Sequence, residues 1–187
     1  MELPAYGSKT LWLRHAGFTD FASETFDIVG TKNLPNLSLS VADGDFQSTG
    51  ALPDDWLQIP RLRNSGGPGI HSTTFTLPAD IDARLQKGHR FQLELGQLFG
   101  AATVRPNANL LGAALLPLCI INLTEGLKPG DNWLEVTLRP PRKNRLAHPI
   151  ENNEPGSNAP DLVDTSARVS GGLIGPVHIK ESEPRGD

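Results

Sequence analysis

Apolar positions along this chain recur with a period of two, in short runs that end at Gly, Pro or Asp. Residues 10–14, 24–28 and 37–41 open the series. A loop-rich stretch from Gly44 to Gly69 follows, anchored by Trp56 and Ile59. The alternation resumes at 72–77, stopped by Pro78, at 91–95, stopped by Gly96, and at 101–105, stopped by Pro106, then continues at 116–122 and 133–138. Alternation places successive side chains on opposite faces, so Phe91, Leu93 and Leu95 point one way while Gln92 and Glu94 point the other. A sustained 3.6-residue period is missing. Only short helical turns are expected, near 53–57 and 81–85, the second with Asp80 as its N-cap. Eight or nine short strands at this spacing predict an all-β, two-sheet β-sandwich.

Two stretches refine that picture. In Leu127-Lys128-Pro129-Gly130-Asp131-Asn132 the Pro and Gly stand at the second and third positions of a type II turn, which makes a tight connection between strands. The segment from about 147 to 168 is too polar to offset the entropy of ordering itself, and predicts a long surface loop. Leu173, Val177 and Ile179 then predict a final strand, about 172–180, that returns to complete a sheet.

The 187 residues suit one domain spanning 1–187, since no long linker divides two apolar halves. Glycine (19) and proline (16) are abundant, which fits strands joined by turns. The net charge of −4 and the scatter of basic residues argue against a nucleic-acid partner; the cluster from Arg139 to Arg145 reads as a solvated strand end. A single cysteine, Cys119, excludes an internal disulfide and a Cys-based metal site. No apolar run reaches the roughly 20 residues of a membrane helix. A soluble chain is expected, secreted or periplasmic if it belongs to a longer parent, with no cofactor and no metal.

Residues 88–146 carry motifs in a fixed order. Leu95-Gly96 ends a strand, Ala102-Thr103-Val104 forms the next, Asn107 stands at a hairpin, Leu127 to Val136 reads Leu-Lys-Pro-Gly-Asp-Asn-Trp-Leu-Glu-Val, and Asn144-Arg145 closes the run. Upstream stand Ser65-Gly66 and Phe75, and downstream Ser170-Gly171-Gly172-Leu173-Ile174-Gly175-Pro176-Val177. Over residues 56–180 this set resembles the accessory β-sandwich of glycoside hydrolase family 2 and of the family 106 α-L-rhamnosidases; the first 55 residues match only loosely. The resemblance implies a jelly-roll sandwich of the galactose-binding-domain-like kind, a plant or bacterial polysaccharide as ligand, and a catalytic glycoside hydrolase domain as partner. In those rhamnosidases the sandwich is an appendage to a large barrel, which 187 residues cannot also supply. The sequence departs from the pattern where Ala108 replaces the hairpin Gly, Leu115 and Leu116 replace strand aromatics, and Asn64 and His71 replace the leading Phe and Tyr.

A sugar site on such a sandwich needs an aromatic face for pyranose C–H groups and convergent polar groups for the hydroxyls. Trp56 is the candidate platform, with Asp55, Arg61 and Arg63 beside it; His71, Asn144 and Arg145 complete the ligand-binding set. A lone Trp between strands also caps an open core, and that is the favoured of the two roles; Trp12 and Trp133 are expected in the core. The alternative to a non-catalytic binding module is a small stand-alone glycosidase, which needs two carboxylates about 5 Å apart or roughly 6.5–9.5 Å apart. Asp54, Asp55, Glu94 and Glu135 are the weak catalytic candidates, the two glutamates lying on outward strand faces.

Overall fold

The computed structural model describes residues 25–42, 45–49, 55–114, 119–151 and 168–185. The expected strand at 10–14 with Trp12, Asp54, Leu115 and Leu116, and residues 152–167 of the expected loop lie outside the described residues. The described chain is an all-β sandwich with two short helices. In order its elements are β1 (Phe26–Asn33), β2 (Ser38–Val41), β3 (Phe46–Ser48), a 3-10 turn (Trp56–Gln58), β4 (Gly69–Leu77), α1 (Ile81–Gln86), β5 (Arg90–Glu94), β6 (Gln97–Phe99) and β7 (Ala101–Pro106). They continue with β8 (Gly112–Ala114), β9 (Ile120–Asn122), a second 3-10 turn (Thr124–Gly126), β10 (Gly130–Arg139), α2 (Lys143–Glu151), β11 (Gly172–Gly175) and β12 (His178–Pro184).

A six-stranded sheet runs β3-β2-β4-β10-β7-β8, a four-stranded sheet runs β1-β12-β5-β9, and β6 pairs with β11. The paired strands are antiparallel, as hairpins and returns require. The core lies between the sheets. Leu39, Val41, Phe75, Leu77, Val104, Leu134, Val136 and Leu138 face inward from the first sheet, and Phe91, Leu93, Ile121 and Ile179 from the second. Each fully buried aliphatic contributes about 1.5–3 kcal/mol, so this alternating set is the main cause of the fold.

Three expectations change. Trp133 is outside the core, 39% exposed, because β10 turns Asn132, Leu134, Val136 and Leu138 inward and the opposite parity outward. The return near the C-terminus is two strands, β11 and β12, in different sheets. The basic run from Arg139 ends β10 at Pro140-Pro141 and then becomes α2, which buries Asn144 and Ala147 and leaves Arg145 and Leu146 in water. Prolines stop the strand, and Lys143, Arg145, Leu146 and Ala147 behind them favour a helix.

Candidate functional site

Of the residues singled out in the sequence, Asp55, Trp56 and Asn144 come together on the returning segment 169–171, in structural roles. Asp55 caps the first 3-10 turn: its Oδ1 accepts from Leu57 N at 3.0 Å and from Gly171 N at 3.1 Å. Burial would raise its carboxyl, but hydrogen bonds from Ser170, Leu57 and Gly171 outweigh that and hold it below the ordinary carboxylate value. Trp56 is 2% exposed. Its N donates to Gly171 O at 2.8 Å, and its ring fills the space left by two glycines: a Cβ on Gly69 would stand 2.7 Å from Cζ2, and one on Gly172 2.5 Å from Cδ1. No face of the ring is open to a sugar.

Asn144 clamps the returning chain, its Nδ2 donating to Val169 O at 2.7 Å and its Oδ1 accepting from Val169 N at 2.9 Å. Arg145 lays its stem across Gly66, where a Cβ would meet its Cδ at 2.7 Å. Arg61 and Arg63 are exposed on the turn leading to Gly66. His71 is fully buried on the inner face of β4, and neither ring nitrogen has a hydrogen-bond partner among the described residues. Burial alone pulls its pKa down to about 4, so the ring is neutral at neutral pH.

The candidate carboxylates are also tied to neighbours. Glu94 accepts from Lys180 Nζ at 2.7 Å on the outer face of one sheet. Glu135 accepts from Thr137 Oγ1 at 3.3 Å and lies 3.6 Å from Arg105 Nη1 on the outer face of the other. Facing away from each other across the sandwich, they cannot flank one glycosidic bond.

Two features escape the sequence reading. The first is Trp133, exposed beside the Arg105–Glu135 pair, with Thr74 as its cross-strand neighbour and Asp131 bound by Thr76 Oγ1 at 2.7 Å. The second is a cleft of about 450 Å³ between the sheets, beside the edge strand β1. Its floor is Leu77, Ile81, Phe91 and Ile179, and its wall is Lys32, Arg84 and Glu181. Glu181 sits on the same face of β12 as the buried Ile179. Arg84 Nη1 donates to both its oxygens, at 3.2 and 3.1 Å, and His89 Nδ1 lies 2.8 Å from Oε1. Arg84 Nε is itself held by Asp80 Oδ2 at 3.0 Å, which is why Asp80 heads α1 without capping it through its side chain. The period-two parity of residues 177, 179 and 181 was the signal that could have found Glu181: a charge in a core-facing register.

Among the described residues, no helix is long and apolar enough to cross a membrane. Neither a family model nor a curated protein sequence matches the chain. Solved structures match its fold. A rhamnosidase from Novosphingobium sp. PP1Y superposes with a TM-score of 0.67 and 20% identity, over 90% of this chain and 16% of its own. A β-D-mannosidase from Dictyoglomus thermophilum gives 0.54 and 14%, over 81% of this chain and 22% of its own. A Ruminococcus gnavus β-glucuronidase gives 0.57 and 13%, over 83% and 28%. The chain thus shares its sandwich fold with one portion of several glycoside hydrolase chains and spans less than a third of their length.

Proposed function

We propose that this chain is a non-catalytic accessory module of a carbohydrate-active enzyme, and that it contacts polysaccharide through the outer face of β10. The observation that carries the non-catalytic reading is the fate of the carboxylates. Asp55 caps a turn, and Glu94 and Glu135 are ion-paired on opposite outer faces, so none of the three is paired for acid–base chemistry. The fold's match to a minor share of each glycoside hydrolase chain supports the accessory role.

The platform for a sugar ring is Trp133, since Trp56 is enclosed. A half-open indole with a guanidinium, a carboxylate and a hydroxyl at its edge supplies both the C–H face and the hydrogen bonds that a pyranose needs. Arg61, Arg63 and Arg145 are also exposed. Calorimetric titration against plant and bacterial polysaccharides tests the proposal, together with reducing-sugar release. The expected result is binding without release, weakened at least tenfold by Trp133→Ala. Release of reducing sugar by the purified chain would overturn it in favour of a small glycosidase.

A further inference from the structure

We infer that the outer face of the six-stranded sheet takes the interior of a linear, neutral glycan, laid along β10 and β4 from Trp133 to Ile70; this rests on the carbohydrate reading above and adds the form of the ligand. Alternation turns Ile70 and Thr74 of β4 outward together with Trp133, Glu135 and Thr137 of β10. Trp133 stands opposite Thr74, and Thr137 opposite Ile70. Among the described residues of this face, Trp133 and Ile70 are the exposed large apolar side chains, 39% and 41% open to solvent. Along β10 the rows of Trp133 and Thr137 lie about 14 Å apart at about 3.4 Å per residue, and β4 runs about 4.8 Å to the side. A single pyranose ring cannot reach both residues. Two apolar platforms at this separation call for a chain of rings.

Between and beside the platforms the face carries hydroxyls and balanced charge. Ser72, Thr74 and Thr103 point outward, and among the described residues their hydroxyls have no hydrogen-bond partner. A hydroxyl both donates and accepts, so it suits a sugar hydroxyl in either orientation. Arg105 lies beside Glu135, and Arg139 shares the face with Asp131, so the charges cancel and nothing there holds an acidic polymer. Ser40, Ile70, Thr74, Thr76 and Trp133 are all exposed, so no described element covers the strip. An open strip receives the middle of a chain, whereas a small ligand or a chain end is held in a concave pocket. A protein partner fits this face less well. The core of a protein interface is apolar and poor in charge, and here a row of Ser72, Glu135 and Arg105 runs between Trp133 and Ile70.

Titration of the whole chain with the mono-, tri- and hexasaccharides of the cello-, manno- and xylo- series, and with galacturonate oligomers of the same lengths, tests the inference. At least one neutral hexasaccharide should bind about tenfold or more tighter than its monosaccharide, and the galacturonate hexamer about tenfold more weakly than that hexasaccharide. Ile70→Ser should weaken the hexasaccharide about tenfold and leave the monosaccharide unchanged. As a surface change it should also leave the melting temperature nearly unchanged. Trp133→Ala should weaken both lengths. A hexasaccharide no tighter than its monosaccharide, or one sensitive to Trp133→Ala but indifferent to Ile70→Ser, overturns the strip and leaves Trp133 as a single-ring platform. Polysaccharide binding that no neutral hexasaccharide reproduces, or galacturonate binding as tight as the neutral chains, overturns the neutral glycan and leaves the accessory reading standing. Self-association of the wild type that Ile70→Ser abolishes assigns the face to a second copy of the chain instead. Binding of no polysaccharide at all brings down the carbohydrate reading as well.

Discussion

His71 shows how one buried side chain writes a pH dependence into the fold. Its folded pKa, about 4, lies below the ordinary histidine value of 6.5, and burial is the sole cause. Below pH 6.5 the unfolded chain takes up a proton that the folded chain refuses until about pH 4. Its share of stability is therefore present above pH 6.5 and falls as the pH drops to 4, by on the order of 3 kcal/mol. Urea melts of the wild type should lose that much between pH 7.5 and 4 relative to His71→Leu, which removes the titrating ring. Parallel pH profiles of the two proteins would show the slope to have another source. Trp56 belongs to the same buried region and to the same kind of test: Trp56→Ala should cost about 3–5 kcal/mol, as enclosed aromatics do, and leave polysaccharide affinity unchanged. Loss of affinity at constant stability would instead return Trp56 to the binding surface.

At the scale of elements, the motifs legible in the sequence turn out to be joints. Asn132, 1% exposed, accepts from Lys128 N at 3.0 Å and Asn107 Nδ2 at 2.8 Å, and donates to Lys128 O at 2.7 Å and Gly130 O at 2.9 Å. Asn107 also donates to Gly126 O at 2.9 Å and accepts from Trp133 N at 3.0 Å. The two side chains lock the turn before β10 to the hairpin after β7, which explains the Lys-Pro-Gly-x-Asn run without any ligand. Asn132→Ala should cost about 2–4 kcal/mol by denaturant unfolding, since it strands several buried partners. The hairpin holds Asn107 at φ 47° and Ala108 at φ 69°, left-handed values that suit Asn but strain Ala. Ala108→Gly should stabilise by about 1 kcal/mol, raising the melting temperature by about 2–4 °C; a fall in melting temperature would count against the turn geometry. Strands at 37–41, 72–77, 91–95, 101–105 and 133–138 were legible because alternation and terminators coincide there. Of the four three-residue strands, β9 falls within the expected 116–122, while β3, β6 and β8 were not legible, being too short to show a period. Helix α2 was hidden because its first turn reads as a run of charge. The cleft was hidden for another reason: Gly30, Arg84 and Glu181 meet only through pairing across the chain, and sequence separation carries no trace of that.

For the whole molecule, the last strands decide whether there is a sandwich at all. β12 is bonded on one side to β1 and on the other to β5, so the four-stranded sheet has no continuous ladder without it. It also brings Ile179 to the core, while Val177 and, from β11, Leu173 are buried just before it, and Gly172 receives the ring of Trp56. At about 1.5–3 kcal/mol for each of the three aliphatics, their loss is comparable with the whole net stability of a domain, about 5–15 kcal/mol. Truncation after Ser170 should therefore give a chain that aggregates or lacks a cooperative thermal transition, with β5 left as an unpaired edge. Deletion of residues 152–158, whose sequence predicts a loop, should leave the melting temperature within a few degrees, because closure entropy varies slowly with loop length. Circular dichroism melts of both variants make the comparison. Equal damage from the two deletions would mean that the fold depends on the polar segment as much as on β12, and a cooperative transition in the truncated chain would mean that the remaining strands close the core without it.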